Sequence, residues 1–456
     1  MLAILGRRIP YRDSFPDSDL MNSSEPRRVV ITGLGVISPI GNTPRELMES
    51  LSSGRSGIAT LTQIPTGVLP IDHGAEVSDF TGAIEDYGPL SKELQRTIRK
   101  GSKLMCREIE MGVAAAQLAI ADSGLTTQSR DRDRTGVIYG CDYIMTLPEE
   151  FAAGIKACLD DDRQFHFEQW AEKGLPQVNP LWLLKYLPNM PASHIAIYND
   201  LRGPNNSITL REASPAAVLS EAFSTISRGH ADVLVVGSTG SRIHPFRSMH
   251  ASMQETLAPT LSDVTKTCRP FDKDRAGAVL GEGAASMILE TYEHAVARGA
   301  KIFGEVFGSG SSTVSSTTGT DFYRRAILNS LRMATRECDL TLIGHINAHG
   351  LGTVDCDQQE AAAIVDVFGQ AQPNVPVVSA KGHFGNLGAG GGMVEIIASI
   401  MALDSNLFPT LNCDAIDPHC KIRVVTDNSV AAGSSFVSLN VTPQGQASAV
   451  RIGKVA

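Results

Sequence analysis

The chain has 456 residues, 42% of them hydrophobic and 20% charged, with a formal net charge of −9. A chain of that size buries a large core and allows roughly two to four domains, and its acidic balance, with no long Lys/Arg run, excludes nucleic acid as the principal partner. The 42 glycines and only 5% aromatics favour the close strand and helix packing of an α/β protein over an aromatic-rich binding surface.

Eight cysteines (Cys106, Cys141, Cys158, Cys268, Cys338, Cys356, Cys413 and Cys420) are scattered without a C-x-x-C pair or His spacing that would hold zinc. A reduced, cytoplasmic compartment is the expectation. No apolar run approaches the roughly 20 residues that span a bilayer. The opening MLAILGRRIPYRDSFPDSDL lacks the order of a secretory signal, because its apolar run is short and its arginines follow it. Residues 1–26 are expected to form a flexible extension, with Met21 an alternative start.

Order is expected from Arg27, where RRVVITGLGVISPIGN reads as a glycine-broken strand leading to a helix through Glu46 to Leu51. Gly33, Gly35 and Gly41 miss the G-x-G-x-x-G spacing of a dinucleotide loop. Glu108 to Ser123 has helical periodicity and stops at Gly124; Thr135 to Gly140 (TGVIYG) reads as the next strand. Tyr143 to Val178 is acidic and dotted with aromatics, as a surface excursion or dimer contact would be. Ser207 to Leu210 reads as a buried strand that turns through Arg211, Glu212 and Ala213 into a helix. Ser214 and Pro215 start that helix, and Leu219, Ala222, Phe223 and Ile226 line one face of it. A strand entering a helix N-terminus through a tight turn holds one side chain in an electropositive spot, a usual seat for a nucleophile.

Ala231 to Gly237 (ADVLVVG) is aliphatic throughout, as a strand buried on both faces should be. Cys268 to Glu290 reads as a charged loop and another buried strand. A second half then echoes the first. Lys301 to Gly310 repeats the glycine-broken strand, Tyr323 to Glu337 the helix, and Ile343 to Gly350 the TGVIYG strand. Val375 to Lys381 enters a Gly382 to Gly392 loop, and MVEIIASIMAL matches the helix after Pro215. Such duplication implies two halves packed face to face with related turns meeting near the centre, so Glu212 and the Gly382 to Gly392 loop are expected to be neighbours.

The segments RRVVITGLGVISPIGN, NMPASHIAIYNDLRGPNNSI, CRPFDKDRAGAVLGEGAASMILE, INAHGLGTVDCDQQE and SAKGHFGNLGAGGGMVE, in that order, resemble the β-ketoacyl-acyl carrier protein synthases of the thiolase superfamily. The resemblance implies a thiolase-like α/β fold with two pseudo-repeated halves in an α/β/α/β/α layering. It divides the chain into residues 27–300 and 301–456 as N- and C-terminal ketosynthase halves. It also implies a cytoplasmic dimer built across ADVLVVG as an edge strand, acting in fatty acid or polyketide biosynthesis.

The family's chemistry needs a Cys to carry the acyl chain and two side chains that stabilise the enolate left by malonyl decarboxylation. The resemblance puts the cysteine position on Glu212, the first catalytic His on His349 and the second on Asn386. Lys381 matches the family lysine and Glu360 the acid expected to pair with it. Thr353 matches one of two threonines that hold the pantetheine arm, the other being Leu351. Cys356 reads as a small buried residue, and Phe436 and Gly445 are faint echoes of a gating loop. No cofactor is implied, the substrate arriving on the phosphopantetheine of an acyl carrier protein. Arg96, Arg99, Lys100 and Lys103, or Arg130, Arg132 and Arg134, could dock that carrier.

A carboxylate cannot form the acyl thioester, so independent condensation is disfavoured. Two functions remain open. One is a malonyl decarboxylase using His349 and Asn386, with Glu212 in an ion pair, turned toward Arg211, or acting as a base. The other is a non-catalytic subunit, similar to a chain length factor, paired with a Cys-containing synthase.

Overall fold

The computed structural model describes residues 26–65, 67–403 and 405–455; apart from Pro26, the expected N-terminal extension lies outside them. The strands that build the core are β1 (Val29–Ile37), β2 (Thr135–Cys141), β3 (Asn205–Thr209), β4 (Val233–Ser241) and β5 (Glu282–Thr291) in the first half. The second half supplies β6 (Gly304–Thr313), β7 (His345–Asn347), β8 (Pro376–Val378), β9 (Ser435–Val441) and β10 (Gln446–Gly453). Five helices matter to the site: α1 (Arg107–Asp122), α2 (Ser214–Ser227), α3 (Phe322–Ala334), α4 (Val354–Phe368) and α5 (Gly391–Ala402).

The two halves repeat one topology. The first sheet runs β1-β5-β4-β2-β3 and the second β6-β10-β9-β7-β8, with Arg423–Val424 added at its outer edge. In each, the first two junctions are antiparallel and the last two parallel. The sheets join where Val30 and Ile31 of β1 face Glu305 and Gly304 of β6. Helices α2 and α5 touch strands of both sheets, whereas α1 packs on the first sheet alone and α3 on the second. The layering is therefore α/β/α/β/α, the expected thiolase-like fold. Central position explains why α5 is apolar almost all round, with only Met401 of its twelve residues not buried. Among the described residues no helix is long and apolar enough to cross a membrane.

The glycines of the two opening strands have a packing cause. A Cβ on Gly33 or Gly35 would lie 2.3 or 2.1 Å from the carbonyl oxygens of Ala119 and Ala115 in α1. In the second half Gly310 and Gly308 stand equally close to Ser330 O and Ala334 O of α3, at 2.2 and 2.5 Å. Each pair lets an outer helix lie directly on its strand.

Two expectations about strands are corrected. Asn205–Thr209 is not a buried strand: it pairs only with β2, forms the open edge of the first sheet, and has only exposed or half-buried side chains. Conversely the ADVLVVG segment is interior, lying between β5 and β2 as β4. Its unbroken aliphatic character is the mark of a strand covered on both faces and both sides, which an edge strand is not. The stretch from Tyr143 is a surface excursion carrying the helix Glu149–Ala157 and leaving Phe165, Phe167 and Leu175 exposed.

Candidate active site

β3 leads through Leu210 into a single 3₁₀ turn, Arg211–Ala213, and then into α2, whose first turn carries Pro215. Ser214 pins the turn: its hydroxyl accepts from Leu210 N–H at 2.9 Å and donates to Cys141 O at 3.1 Å. From the other half, Ser448 Oγ donates to Ala213 O at 2.7 Å. Arg211 adopts φ +51°, a left-handed conformation that costs a β-carbon residue about 1–2 kcal/mol. The turn is thus held by contacts from both halves, with Glu212 directed into the molecule.

Glu212, His349, Lys381 and Asn386 are each 2% exposed or less. Glu212 Oε1 accepts from Asn386 Nδ2 at 3.0 Å and from Arg242 Nη1 at 3.3 Å, while Oε2 lies 3.4 Å from Arg211 Nε. The two arginines are themselves bridged by Glu255 Oε1, at 2.7 Å from Arg211 Nη2 and 2.6 Å from Arg242 Nη2. Asp142 Oδ2 stands 3.8 Å from Arg211 Nε and also pairs with Arg247. Burial alone would raise the Glu212 carboxyl, but the fields of Arg211 and Arg242 overcome it and hold the group at about 2. Glu212 is therefore an ionised, clamped carboxylate. Because its folded value lies below the ordinary carboxylate range, it adds stability above pH ~4.5 that is lost as the pH falls toward 2. Glu212→Gln is expected to flatten that acid limb of a stability-versus-pH curve measured by urea denaturation.

His349 follows β7. Its backbone N–H and that of Gly350 donate to the two oxygens of Glu360, at 2.6 and 2.8 Å, while Leu351 and Gly352 N–H donate to Asp357. Asp357 and Glu360, one turn apart on α4, thus fix the loop's backbone. Burial pushes the Glu360 carboxyl up to about 8 against the pull of those N–H groups. Burial, followed by Lys381, holds the His349 imidazole well below its ordinary value, so the ring is neutral at pH 7. Its titration also feels the charges of Glu212 and Arg242.

The expected Lys381–Glu360 pair does not form. Both oxygens of Glu360 are taken by backbone N–H groups, and Lys381 Nζ donates instead to Glu395 Oε1 of α5 at 2.6 Å. Glu395 Oε2 accepts from Asn440 Nδ2 at 3.0 Å, and Asn440 Nδ2 also stands 3.4 Å from His349 Nδ1.

Thr353 and Leu351 line a cavity of about 360 Å³ together with Glu255, Tyr323 and Cys356. Glu255 both lines this cavity and bridges the two arginines, so the ion cluster stands between the cavity and Glu212. Burial raises the Cys356 thiol well above its ordinary value, which removes it as a nucleophile. Phe436 is fully buried and stacked on His345 with ring centroids 5.1 Å apart, and Gly445 sits in a turn at φ +81°. Phe436 belongs to the buried core, whereas the turn of Gly445 brings Pro443 to the cavity and Gln444 Oε1 to 3.4 Å from Arg211 Nη1.

The sequence profile for the β-ketoacyl synthase N-terminal domain matches residues 26–295, and that for the C-terminal domain residues 298–414. The chain belongs to the β-ketoacyl synthase family. The 3-oxoacyl-[acyl-carrier-protein] synthase 2 of Synechocystis sp. is 32% identical over 91% of this chain and 96% of its own length. The protein of the same name from Staphylococcus aureus is 29% identical over 94% of this chain and 99% of its own. Among solved structures, the ishigamide ketosynthase/chain length factor superposes with TM-score 0.77 at 27% identity, covering 94% of this chain and 100% of that one. A β-ketoacyl synthase from Burkholderia phymatum does so with TM-score 0.76 at 25% identity, covering 94% and 100%.

Within this ketosynthase frame the structure adds Arg242, Glu255, Glu395 and Asn440 to the residues found from sequence. Glu395 had a signal: it is the one charged residue in an otherwise apolar helix. Arg242 directly follows β4, which ends in Gly-Ser-Thr-Gly-Ser, but nothing local says which carboxylates it meets. As it stands, the site offers an imidazole and an anchored lysine, while one amide N–H of Asn386 and both arginines are engaged by carboxylates.

Proposed function

We propose that this ketosynthase-family protein handles acyl-carrier thioesters without making an acyl-enzyme of its own, as a chain-length-factor-like subunit beside a Cys-bearing synthase. The observation that carries the proposal is the clamped Glu212 carboxylate at the turn where a nucleophile is seated, accepting from Asn386 and Arg242 and ion-paired with Arg211. A permanent anion there repels a malonyl carboxylate and holds one N–H of the Asn386 amide away from an enolate oxygen. The likeness to a ketosynthase/chain length factor supports the same proposal. The open edge of β3 is the natural place for sheet-to-sheet pairing with a second subunit, since an unpaired edge invites another strand.

For the carrier protein, the helix Lys92–Gly101 presents Arg96, Arg99 and Lys100 to solvent, with Lys103 just beyond it. Arg130, Arg132 and Arg134 are instead engaged by Asn199 O, Asp200 and Asp232, which favours the first cluster. The cavity beside Thr353 is the candidate seat of the phosphopantetheine end, with no further cofactor required.

One observation favours malonyl decarboxylation as a second function: His349 is kept neutral beside Lys381, and displacement of Glu212 would free the Asn386 amide. The test uses the purified full-length protein with malonyl-acyl carrier protein, alone and with a Cys-bearing ketosynthase, read by CO₂ release and intact mass. The expected result is no CO₂ and no adduct alone, and a higher rate or longer product from the pair. CO₂ release by the protein alone, falling roughly 10²-fold in His349→Ala, would instead establish the decarboxylase.

A further inference from the structure

A chain of contacts runs from Lys381 through Glu395 and Asn440 to His349, and nothing in the family assignment accounts for its Asn440 link. Lys381 Nζ holds Glu395 Oε1 at 2.6 Å, leaving Oε2 to accept from Asn440 Nδ2 at 3.0 Å. A carboxylate oxygen accepts and does not donate, so it selects the NH₂ end of the amide over the carbonyl end. The amide oxygen, buried and without a hydrogen-bond partner among the described residues, is turned toward Gly392, where an added Cβ would lie 2.1 Å from it. Gly392 thus makes room for the end of the amide, and Glu395 sets which end it is. The second hydrogen on Nδ2 then faces His349 Nδ1 at 3.4 Å.

A neutral imidazole has one N–H and one bare nitrogen, and a neighbour that can only donate pairs with the bare one. We propose that Asn440 is the positioning residue of His349, fixing its ring as the Nε2–H tautomer so that the imidazole presents an N–H to the oxygen of a carrier-bound thioester or its enolate. Among the described residues no hydrogen bond engages Nε2, which leaves that N–H for a ligand. The depressed titration of the buried ring keeps this tautomer from being overridden by protonation at neutral pH. The kinetic consequence rests on the decarboxylase function; the tautomer does not.

The experiment is ¹⁵N-histidine labelling of the full chain and long-range ¹H–¹⁵N correlation at pH 7, with His349 assigned by difference against His349→Gln. The expected spectrum has a bare Nδ1 and a protonated Nε2. Asn440→Asp puts an acceptor opposite Nδ1 and is expected to reverse the pattern to Nδ1–H, while Gly392→Ala, which pushes the amide away, loses the single tautomer. Wherever CO₂ release is measurable, Asn440→Asp is expected to lower it roughly 10²-fold, as loss of a preorganised donor does. A wild-type Nδ1–H signature, or a tautomer unmoved by Asn440→Asp, overturns the proposal. A reversal in a protein that releases no CO₂ supports the role of Asn440 and sinks only the decarboxylase. Should Asn440→Asp not fold, the wild-type spectrum decides by itself.

Discussion

Replacing Arg242 with Leu is expected to cost about 3–5 kcal/mol of folding stability, the usual penalty when one partner of a buried ion pair is removed and the other is left in place. Arg242 is 3% exposed and serves two carboxylates at once, Glu212 Oε1 at 3.3 Å and Glu255 Oε1 at 2.6 Å. Without it, Glu212 keeps Arg211 and the Asn386 amide, and its carboxyl climbs from about 2 because one of the two opposing fields is gone while burial remains. Urea denaturation at pH 7 measures the loss. The companion Glu212→Gln should cost less, because an amide still accepts from Asn386 and leaves no bare charge. The double variant should recover part of the Arg242→Leu loss, since the two side chains share a contact and their effects cannot be additive. A single-variant loss within ~0.5 kcal/mol of zero, the range of an ordinary surface substitution, would mean that the cluster is solvated and not a closed plug.

Glu212→Cys is the change expected to alter chemistry most. The turn that carries residue 212 opens the fourteen-residue helix α2, and the adjoining cations Arg211 and Arg242 would favour a thiolate there. A thiolate forms the acyl thioester that a carboxylate cannot, and it leaves the Asn386 amide free. Intact mass after incubation with an acyl-carrier thioester should show an acyl adduct on the variant and none on the wild type. The Glu255 bridge lines the cavity and holds both arginines that clamp residue 212. Glu255→Ala in the same background should therefore speed acylation further. If neither the single nor the double variant is acylated, the route from the cavity to residue 212 is shut by more than this bridge, and only the partner-subunit function survives.

Much of the architecture was legible in the chain because it is written in local patterns. The glycine-broken strands at Gly33 and Gly308, the helices after them and the two strand-to-helix turns repeat in the same order, and the duplicated sheet topology follows. The position of Glu212 at its turn and its proximity to the Gly382 to Gly392 loop could likewise be read, because two related turns meet at the centre of a duplicated fold. An ion pair for Glu212 was among the alternatives that its neighbour Arg211 allowed.

Only the tertiary structure could decide who pairs with whom. Asn386 meets Glu212 across 174 residues, and Asn440 meets His349 across 91. Hydrogen bonds select by distance and direction in space, to which spacing along the chain is blind at such separations. For the same reason Glu360, a plausible acid for Lys381 by motif, proved to spend both oxygens on backbone N–H groups, while Glu395 from the neighbouring helix took the lysine. Strand position followed a like rule. The composition of ADVLVVG required cover on both faces, but only the assembled sheet showed that its neighbours are β5 and β2 and that the open edge falls on the polar Asn205–Thr209. The sequence determined the fold family and the residue that stands at the nucleophile's turn; the packed structure determined that this residue is an ionised, doubly clamped carboxylate, because a carboxyl's charge is set by the cations that folding brings to it.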